Sequence, residues 1–154
     1  MKPVKVGLLG LGTVGGGVAE VLARNAEEIT RRAGRGIEIV QAVVRNLERP
    51  NPHQLPLSND PQAVILNPEV DVVVELMGGY EPARSLVLEA LAQGKHVVTA
   101  NKALIARHGN EVFAAAHQHG VMVAFEAAVA GGIPVIKAIR EGLAGNRIEW
   151  LAGI

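Results

Sequence analysis

The amino-acid sequence predicts an α/β fold with a doubly wound, mainly parallel sheet that carries helices on both faces. Short apolar runs alternate with longer segments of helical periodicity along the 154 residues, and this alternation is typical of β-α-β units. Hydrophobic residues make up 49% of the chain but aromatic residues only 3%. The core is therefore expected to consist of Val, Ile, Leu and Ala, as in parallel strands buried on both faces. Ligands of such sheets bind past the carboxyl ends of the strands.

The predicted elements follow from apolar periodicity and from the Gly, Pro and Asn residues that interrupt it. In the first half of the chain they are a strand over 4–9, a long helix over 13–32, a strand over 37–44, a polar loop over 45–61 and a short helix near 62–66. In the second half they are a strand over 71–76, a helix over 81–93, a strand over 95–99, a helix from Asn101 to about Gly120, a strand over 121–125, a helix from Pro134 to about Leu143, and a last strand over 148–151.

Composition narrows the functional class. Basic and acidic residues number 15 each, and this balance argues against a nucleic-acid partner, which usually requires a basic excess. The chain has no cysteine, which excludes thiolate catalysis and fits the reducing cytoplasm where we expect the protein. No apolar run reaches the roughly 18 residues that a membrane span needs. The five histidines form no zinc motif.

A glycine-rich turn follows the first strand and opens the first helix. The segment Gly10-Leu11-Gly12-Thr13-Val14-Gly15 matches G-x-G-x-x-G, the fingerprint of a Rossmann-type dinucleotide-binding fold in this context. Gly10 permits the tight turn, Gly12 lets a diphosphate approach the backbone, and Gly15 lets the helix pack closely. The N–H groups around Thr13 and Val14 then attract the phosphates. Gly16 and Gly17 have either a packing or a cofactor-related reason, and the sequence does not distinguish the two.

The second strand ends without the acidic residue that usually holds the ribose 2′-hydroxyl of NAD. Arg45 stands there instead, with Arg49 nearby. An arginine at this position suits a 2′-phosphate. We therefore predict that NADP binds at least as well as NAD.

Polar residues close three later strands. Glu75 is either a buried structural acid or a contact for the cofactor, beside exposed N–H groups of residues 75–79. Asn101 can cap the helix that Lys102 begins. The positive end of the helix dipole disfavours a charged ammonium at this position, which makes Lys102 a candidate proton-transfer group. The alternative is an ordinary exposed lysine. Glu126, beside the carbonyls of the following turn, either helps to hold a monovalent cation or belongs to a tight connection.

Four segments together resemble the homoserine dehydrogenase family. They are GLGTVGGGV at 10–18, VVVELMGGYEPA at 72–83, GKHVVTANKALIARHG at 94–109, and FEAAVAGGIPVIKAIREGLAGNRI at 125–148. The resemblance implies interconversion of L-homoserine and L-aspartate 4-semialdehyde with NADP or NAD, on the path to threonine, methionine and isoleucine. It covers nearly all of the chain except residues 45–70.

The resemblance also implies roles for individual residues. Lys102 matches the family's lysine that contacts cofactor and substrate and is implicated in proton transfer. The other implied contacts with the dinucleotide are Gly12, Thr13, Val14, the backbone near Gly79, and Asn101. A site for a sodium ion, bound largely through main-chain carbonyls, is implied at Glu126, Val129, Gly131 and Ile133.

The family pattern extends beyond this sequence. We expect residues 1–147 to form the NAD(P)-binding domain and residues 148–154 to begin a substrate and dimerisation domain that is otherwise missing. The family's second catalytic lysine, its substrate-binding acids and most of its dimer-forming sheet are absent, so we expect cofactor binding without turnover. The full-length enzyme is expected to be a homo-oligomer. Two alternatives remain: another NAD(P) dehydrogenase or reductase of amino-acid metabolism, and a dinucleotide-sensing module without catalysis.

Overall fold

The computed structural model describes residues 1–153, which form one six-stranded sheet flanked by helices. All neighbouring strands are parallel, in the order β3-β2-β1-β4-β5-β6. The strands are β1 (Val4–Leu9), β2 (Ile37–Val43), β3 (Leu57–Ser58), β4 (Val72–Glu75), β5 (His96–Thr99) and β6 (Val123–Ala124). This order confirms the predicted doubly wound fold, and its switch point lies between β1 and β4.

All helices but the last connect successive strands as crossovers, and the last helix follows β6. They are α1 (Thr13–Arg24), α2 (Ala26–Ala33), α3 (Gln62–Ile65), α4 (Ala83–Ala92), α5 (Lys102–Gln118) and α6 (Val135–Lys137), which continues into a π-helical turn over Ala138–Gly142. A 3₁₀ turn, Glu126–Ala128, follows β6. No helix within residues 1–153 is both long and apolar enough to cross a membrane.

Two hydrophobic layers cover the two faces of the sheet. Successive side chains of a strand point to opposite faces, and Leu8 and Leu9 of β1 accordingly lie in different layers. The layer around Leu9 includes buried residues of α3, α4 and α5, whereas the layer around Leu8 includes Ala19 of α1. Both faces are therefore covered by helices, as the apolar strands predict.

The predicted helix over residues 13–32 is wrong as a single element. The structure divides it at Asn25, which has φ −106° and ψ 21° and separates α1 from α2. Asparagine disfavours the helix interior because its side chain competes for backbone hydrogen bonds. The carbonyl of Asn25 accepts the Ile29 N–H at 2.9 Å, so α2 starts immediately after the break.

The two edge strands differ most from the prediction. β3 lies inside the segment predicted as a loop over 45–61, and it pairs only Leu57 with Ala42 and Ser58 with Val43. β6 is shorter than the predicted strand over 121–125. Such short edge strands are defined by the neighbouring strand rather than by their own pattern.

The predicted strand over residues 148–151 is also wrong. Residues 148–153 adopt no regular secondary structure, and no strand of the described part of the chain pairs with them. A β-strand requires a partner for its backbone N–H and C=O groups. The apolar composition of residues 148–151 was therefore insufficient to predict a strand.

Candidate functional site

The glycine turn between β1 and α1 lies at the switch point of the sheet. Gly10 has φ +104°, and a Cβ there would lie 3.0 Å from the carbonyl oxygen of Leu76. A Cβ at Gly15 would lie only 2.4 Å from the carbonyl oxygen of Gly10. At Gly12, by contrast, a Cβ would meet no atom within 4 Å. The fold itself therefore requires glycine at positions 10 and 15, whereas position 12 faces open space.

The amino end of α1 offers unused N–H groups. No side chain caps this end of the helix, and no acidic residue lies in its first turn. Thr13 and Val14 are both exposed. The positive end of the dipole of this 12-residue helix thus meets an open surface beside Gly12, which is the arrangement that binds phosphate groups in proteins.

The structure removes one explanation for Gly16 and Gly17. A Cβ at either position would meet nothing within 4 Å, so no neighbouring strand requires these glycines. Glycine costs roughly 1 kcal/mol relative to alanine inside a helix. Within the described residues, we find no compensating contact for that cost.

Arg45 lies just beyond β2, one residue further from the strand end than predicted, because β2 ends at Val43 rather than Val44. Its side chain is exposed. Arg49 is half-buried, and its Nε has no hydrogen-bond partner among the described residues. Both guanidinium groups therefore lie on the loop that follows β2. In dinucleotide-binding folds, the adenosine ribose of the ligand binds at the end of this strand.

Glu75 is a structural acid. Its carboxylate is completely buried. Oε1 accepts hydrogen bonds from the N–H groups of Met77 at 2.8 Å and Gly78 at 3.2 Å, and Oε2 accepts one from Thr99 Oγ1 at 2.6 Å. The expectation of exposed N–H groups over residues 75–79 is therefore wrong for Met77 and Gly78, because both groups point inward to the carboxylate.

Sequence reasoning missed the partner of Glu75. Thr99 is the last residue of β5, and the parallel register places it beside Glu75, the last residue of β4. A buried carboxylate requires hydrogen-bond donors. A polar residue at the end of the next apolar strand was the signal that could have identified Thr99.

Asn101 caps α5, as predicted. Its Oδ1 accepts the Leu104 N–H at 3.1 Å, and its Nδ2 donates to the carbonyl oxygen of Gly79 at 2.7 Å. Asn101 is only 5% exposed. The next residue, Lys102, is exposed and begins the helix. The structure therefore brings Gly79, Asn101 and Lys102 together at the carboxyl ends of β4 and β5.

The connection from β6 to α6 contains the four residues of the predicted cation site. The Glu126 carboxylate accepts the N–H groups of Ile136 and Lys137, each at 3.1 Å. Its main-chain carbonyl accepts the Val129 N–H at 3.2 Å, and the Ile133 carbonyl accepts the Val135 N–H at 2.8 Å. The Glu126 carboxylate therefore stabilises the start of α6, and the main-chain carbonyls of Glu126 and Ile133 each already accept one hydrogen bond.

Residues 1–153 contain no group of three or more His, Asp or Glu side chains suited to a metal ion.

A cleft of about 210 Å³ lies beside the cation-site connection, between Phe125, Glu126, Ile136 and Arg140. A larger cavity of about 540 Å³ lies at the junction of α1 and α2, at the opposite end of α1 from the glycine turn.

Comparison with known proteins gives a consistent result. Residues 10–126 match the family model described as homoserine dehydrogenase, NAD binding domain. A homoserine dehydrogenase of Pseudomonas aeruginosa is 68% identical, and the match covers 100% of this chain and 36% of that protein.

Solved structures agree with the sequence comparison. The crystal structure of a homoserine dehydrogenase from Thiobacillus denitrificans is 67% identical with a TM-score of 0.93, over 97% of this chain and 35% of that one. A hyperthermophilic archaeal homoserine dehydrogenase in complex with NADPH is 25% identical with a TM-score of 0.76, over 94% of this chain and 50% of that one. The chain thus spans about a third of the length of the proteins from Pseudomonas aeruginosa and Thiobacillus denitrificans.

Proposed function

The chain belongs to the homoserine dehydrogenase family, and from this premise we propose that it is the cofactor-binding domain of an enzyme that interconverts L-homoserine and L-aspartate 4-semialdehyde with NAD(P). The observation that carries the proposal is the uncapped amino end of α1 beside the open backbone of Gly12, at the switch point of the sheet. This reaction belongs to the pathway to threonine, methionine and isoleucine.

The residues of the site fit a dinucleotide. Gly10 and Gly15 allow the turn and the close packing of α1, Gly12 leaves the backbone accessible, and the N–H groups of Thr13 and Val14 would bind the diphosphate. Gly79 and Asn101 would lie beside the nicotinamide half, at the ends of β4 and β5. An archaeal relative solved in complex with NADPH supports a nicotinamide dinucleotide as the ligand of this domain.

Lys102 would act on the substrate oxygen. The bound dinucleotide supplies hydride chemistry at the nicotinamide C4, with the carbonyl carbon of the semialdehyde as acceptor. The Lys102 ammonium would donate a proton to the oxygen of that carbonyl during reduction and accept it back during oxidation. Its exposed position in the first turn of α5 leaves the side chain free to reach a substrate.

Isothermal titration of the chain with NADP and NAD tests the cofactor assignment. We expect both to bind, with NADP at least as tight as NAD. Failure of both to bind would contradict the proposed function.

Arg45 is the residue we assign to the 2′-phosphate. Arg45→Ala is expected to weaken NADP binding by about tenfold, which corresponds to one lost charge-assisted contact, and to leave NAD binding unchanged. Arg35→Ala, an exposed arginine at the amino end of β2, is the matched control. A clear preference of the wild-type chain for NAD would refute the role of Arg45.

The cation site is a separate proposal. Main-chain carbonyls of Glu126, Val129, Gly131 and Ile133 would hold a sodium ion at the connection from β6 to α6. We expect sodium chloride to raise the melting temperature more than choline chloride at equal ionic strength, because an ion that binds only the folded state stabilises it. Equal melting temperatures in the two salts would argue against the site.

The remaining parts of the enzyme are also proposals. Residues 1–147 would form the cofactor domain, with the substrate domain beginning at residue 148. The full-length enzyme would be a homo-oligomer whose substrate is a small amino acid.

A further inference from the structure

A closed ring of hydrogen bonds joins the end of β4 to the start of α5. Glu75 Oε1 accepts the Gly78 N–H, and Asn101 Nδ2 donates to the carbonyl oxygen of Gly79. The Asn101 N–H donates to Thr99 Oγ1 at 3.0 Å, and Thr99 Oγ1 donates to Glu75 Oε2. The covalent Gly78–Gly79 bond completes the ring.

The side chains of the ring are buried, and one of them is an acid. Glu75 and Thr99 are both 0% exposed. None of the ion pairs formed within residues 1–153 includes Glu75, so its acidic side chain depends on two backbone N–H groups and one hydroxyl. A buried acid without a cation is costly unless hydrogen bonds satisfy it. Apolar residues would fill the same space between the strands at lower cost.

The segment that the ring holds has little other support. Gly78 and Gly79 both have positive φ values, 76° and 74°, and a Cβ at either would meet no atom within 4 Å. Both glycines are exposed. Glycine retains the most backbone freedom of any residue, so without the ring this turn has few contacts that select one conformation.

We propose that Glu75 and Thr99 are positioning residues that fix the Gly78–Gly79 turn relative to the first turn of α5. The inference rests on the proposed function, since the two turns are those assigned to the nicotinamide half and to Lys102. Through Thr99 the carboxylate determines where the Asn101 N–H points, and α5 begins at the next residue. The ring thus holds the cofactor-side turn and Lys102 in one arrangement, while the glycine turn that binds the diphosphate lies outside it.

A matched pair of variants at one position tests this inference. Thr99→Val has nearly the same shape but removes both hydrogen bonds of Oγ1, whereas Thr99→Ser retains them. The affinity of the chain is measured by titration with NADPH, which includes the nicotinamide, and with ADP, which contains only the adenosine and diphosphate. Thermal unfolding and circular dichroism establish the folded fraction of each variant.

We expect Thr99→Val to weaken NADPH binding by about tenfold and to leave ADP binding within about twofold, because the diphosphate contacts do not involve the ring. Thr99→Ser is expected to bind both ligands as the wild type does. A merely structural role would reduce the folded fraction without changing the ratio of the two affinities.

Glu75→Gln provides a second variant in case Thr99→Val does not fold. The glutamine oxygen can still accept from Met77 and Gly78, but its amide nitrogen faces Thr99 Oγ1 and reverses the direction of that bond. We expect a selective loss of NADPH affinity smaller than that of Thr99→Val. Equal losses for both ligands, or no loss for either, in whichever variant folds would overturn the inference. Failure of the wild-type chain to bind NADPH and ADP would instead contradict the proposed function.

Discussion

Glycines of one short motif serve different physical purposes in this protein. Gly15 is required by contact, because a Cβ would collide with the Gly10 carbonyl at 2.4 Å, and Gly10 is required by its φ of +104°. Gly12 has neither restriction. Its lack of a side chain matters only for what approaches the turn from outside. At the residue scale, the structure thus distinguishes the glycines that the fold requires from the glycine whose role concerns only a ligand.

A pair of alanine substitutions distinguishes these roles. Gly15→Ala is expected to destabilise the chain by about 1–3 kcal/mol because the backbone must move to accommodate the new Cβ. Gly12→Ala is expected to leave the free energy of unfolding nearly unchanged and to weaken NADP binding by about tenfold or more, since the methyl group would occupy the approach of the diphosphate. Denaturant unfolding and calorimetric titration measure the two effects. The assignment would fail if Gly12→Ala bound the cofactor normally.

Lys102 carries the catalytic prediction. In the whole enzyme, Lys102→Ala is expected to lower kcat by about 10²-fold or more, the usual contribution of a proton-transfer group, with cofactor affinity within a few-fold of the wild type. Lys2→Ala, an exposed lysine before the amino end of β1, is expected to leave the rate unchanged. Steady-state kinetics with homoserine measures both. An unaffected rate in Lys102→Ala would remove this residue from the mechanism.

At the scale of elements, α4 and α5 are joined by a group of charged side chains. Arg84 of α4 donates to Glu111 of α5 with Nε–Oε2 at 2.7 Å, and also pairs with Glu81. Arg84 holds the pKa of Glu111 below its ordinary value of 4.5. Glu81 and Glu111 are exposed and Arg84 is half-buried, and ion pairs of this kind near the surface contribute little to stability at neutral pH. Their effect should nevertheless depend on pH.

The sign of that dependence follows from the lowered pKa. A carboxyl group with a lower pKa in the folded state stabilises the fold above its unfolded pKa and loses this contribution as pH falls through the folded value. We therefore expect the melting temperature of wild type to exceed that of Glu111→Gln at pH 6–7, the difference to start shrinking as pH falls to the unfolded value of about 4.3, and to be lost only in stronger acid, once the pH is below the lowered pKa of the folded state. Glu20→Gln, exposed on α1, is the control. A difference that persists in acid would exclude the ion pair as its cause.

For the whole molecule, strand order determines where the site lies. Strand order reverses between β1 and β4, which separates the turns that follow these two strands. The glycine turn, Gly79 and Lys102 each follow a strand at the centre of the sheet.

Large apolar side chains near the end of the sequence are exposed, including Trp150 at 78% and Leu151 at 72%. The chain spans about 36% of its relative from Pseudomonas aeruginosa.

The chain should therefore bind the cofactor without catalysing the reaction. We expect the 154 residues to bind NADP but not to reduce it with homoserine, because the resemblance places the substrate-binding acids and a second lysine outside them. The full-length Pseudomonas aeruginosa relative serves as the positive control in an absorbance assay at 340 nm, a standard wavelength for NADPH. Homoserine-dependent reduction by the chain alone would refute this expectation.

Local pattern was sufficient for most of the elements. The apolar runs of β1, β2, β4 and β5, the glycine turn and the Asn101 cap all depend on residues close together in sequence, so periodicity and capping chemistry predict them. The same information predicts the parallel sheet, because strands alternate with helices. The family resemblance likewise depends on contiguous segments.

Only the tertiary structure decided features that need a distant partner. β3 exists because β2 lies beside it, and residues 148–151 are not a strand because no described strand pairs with them. Glu75 is a structural acid because the register of β4 and β5 places Thr99 next to it. Backbone and buried polar groups must find hydrogen-bond partners, and a partner distant in sequence is selected by packing of the whole chain rather than by neighbouring residues.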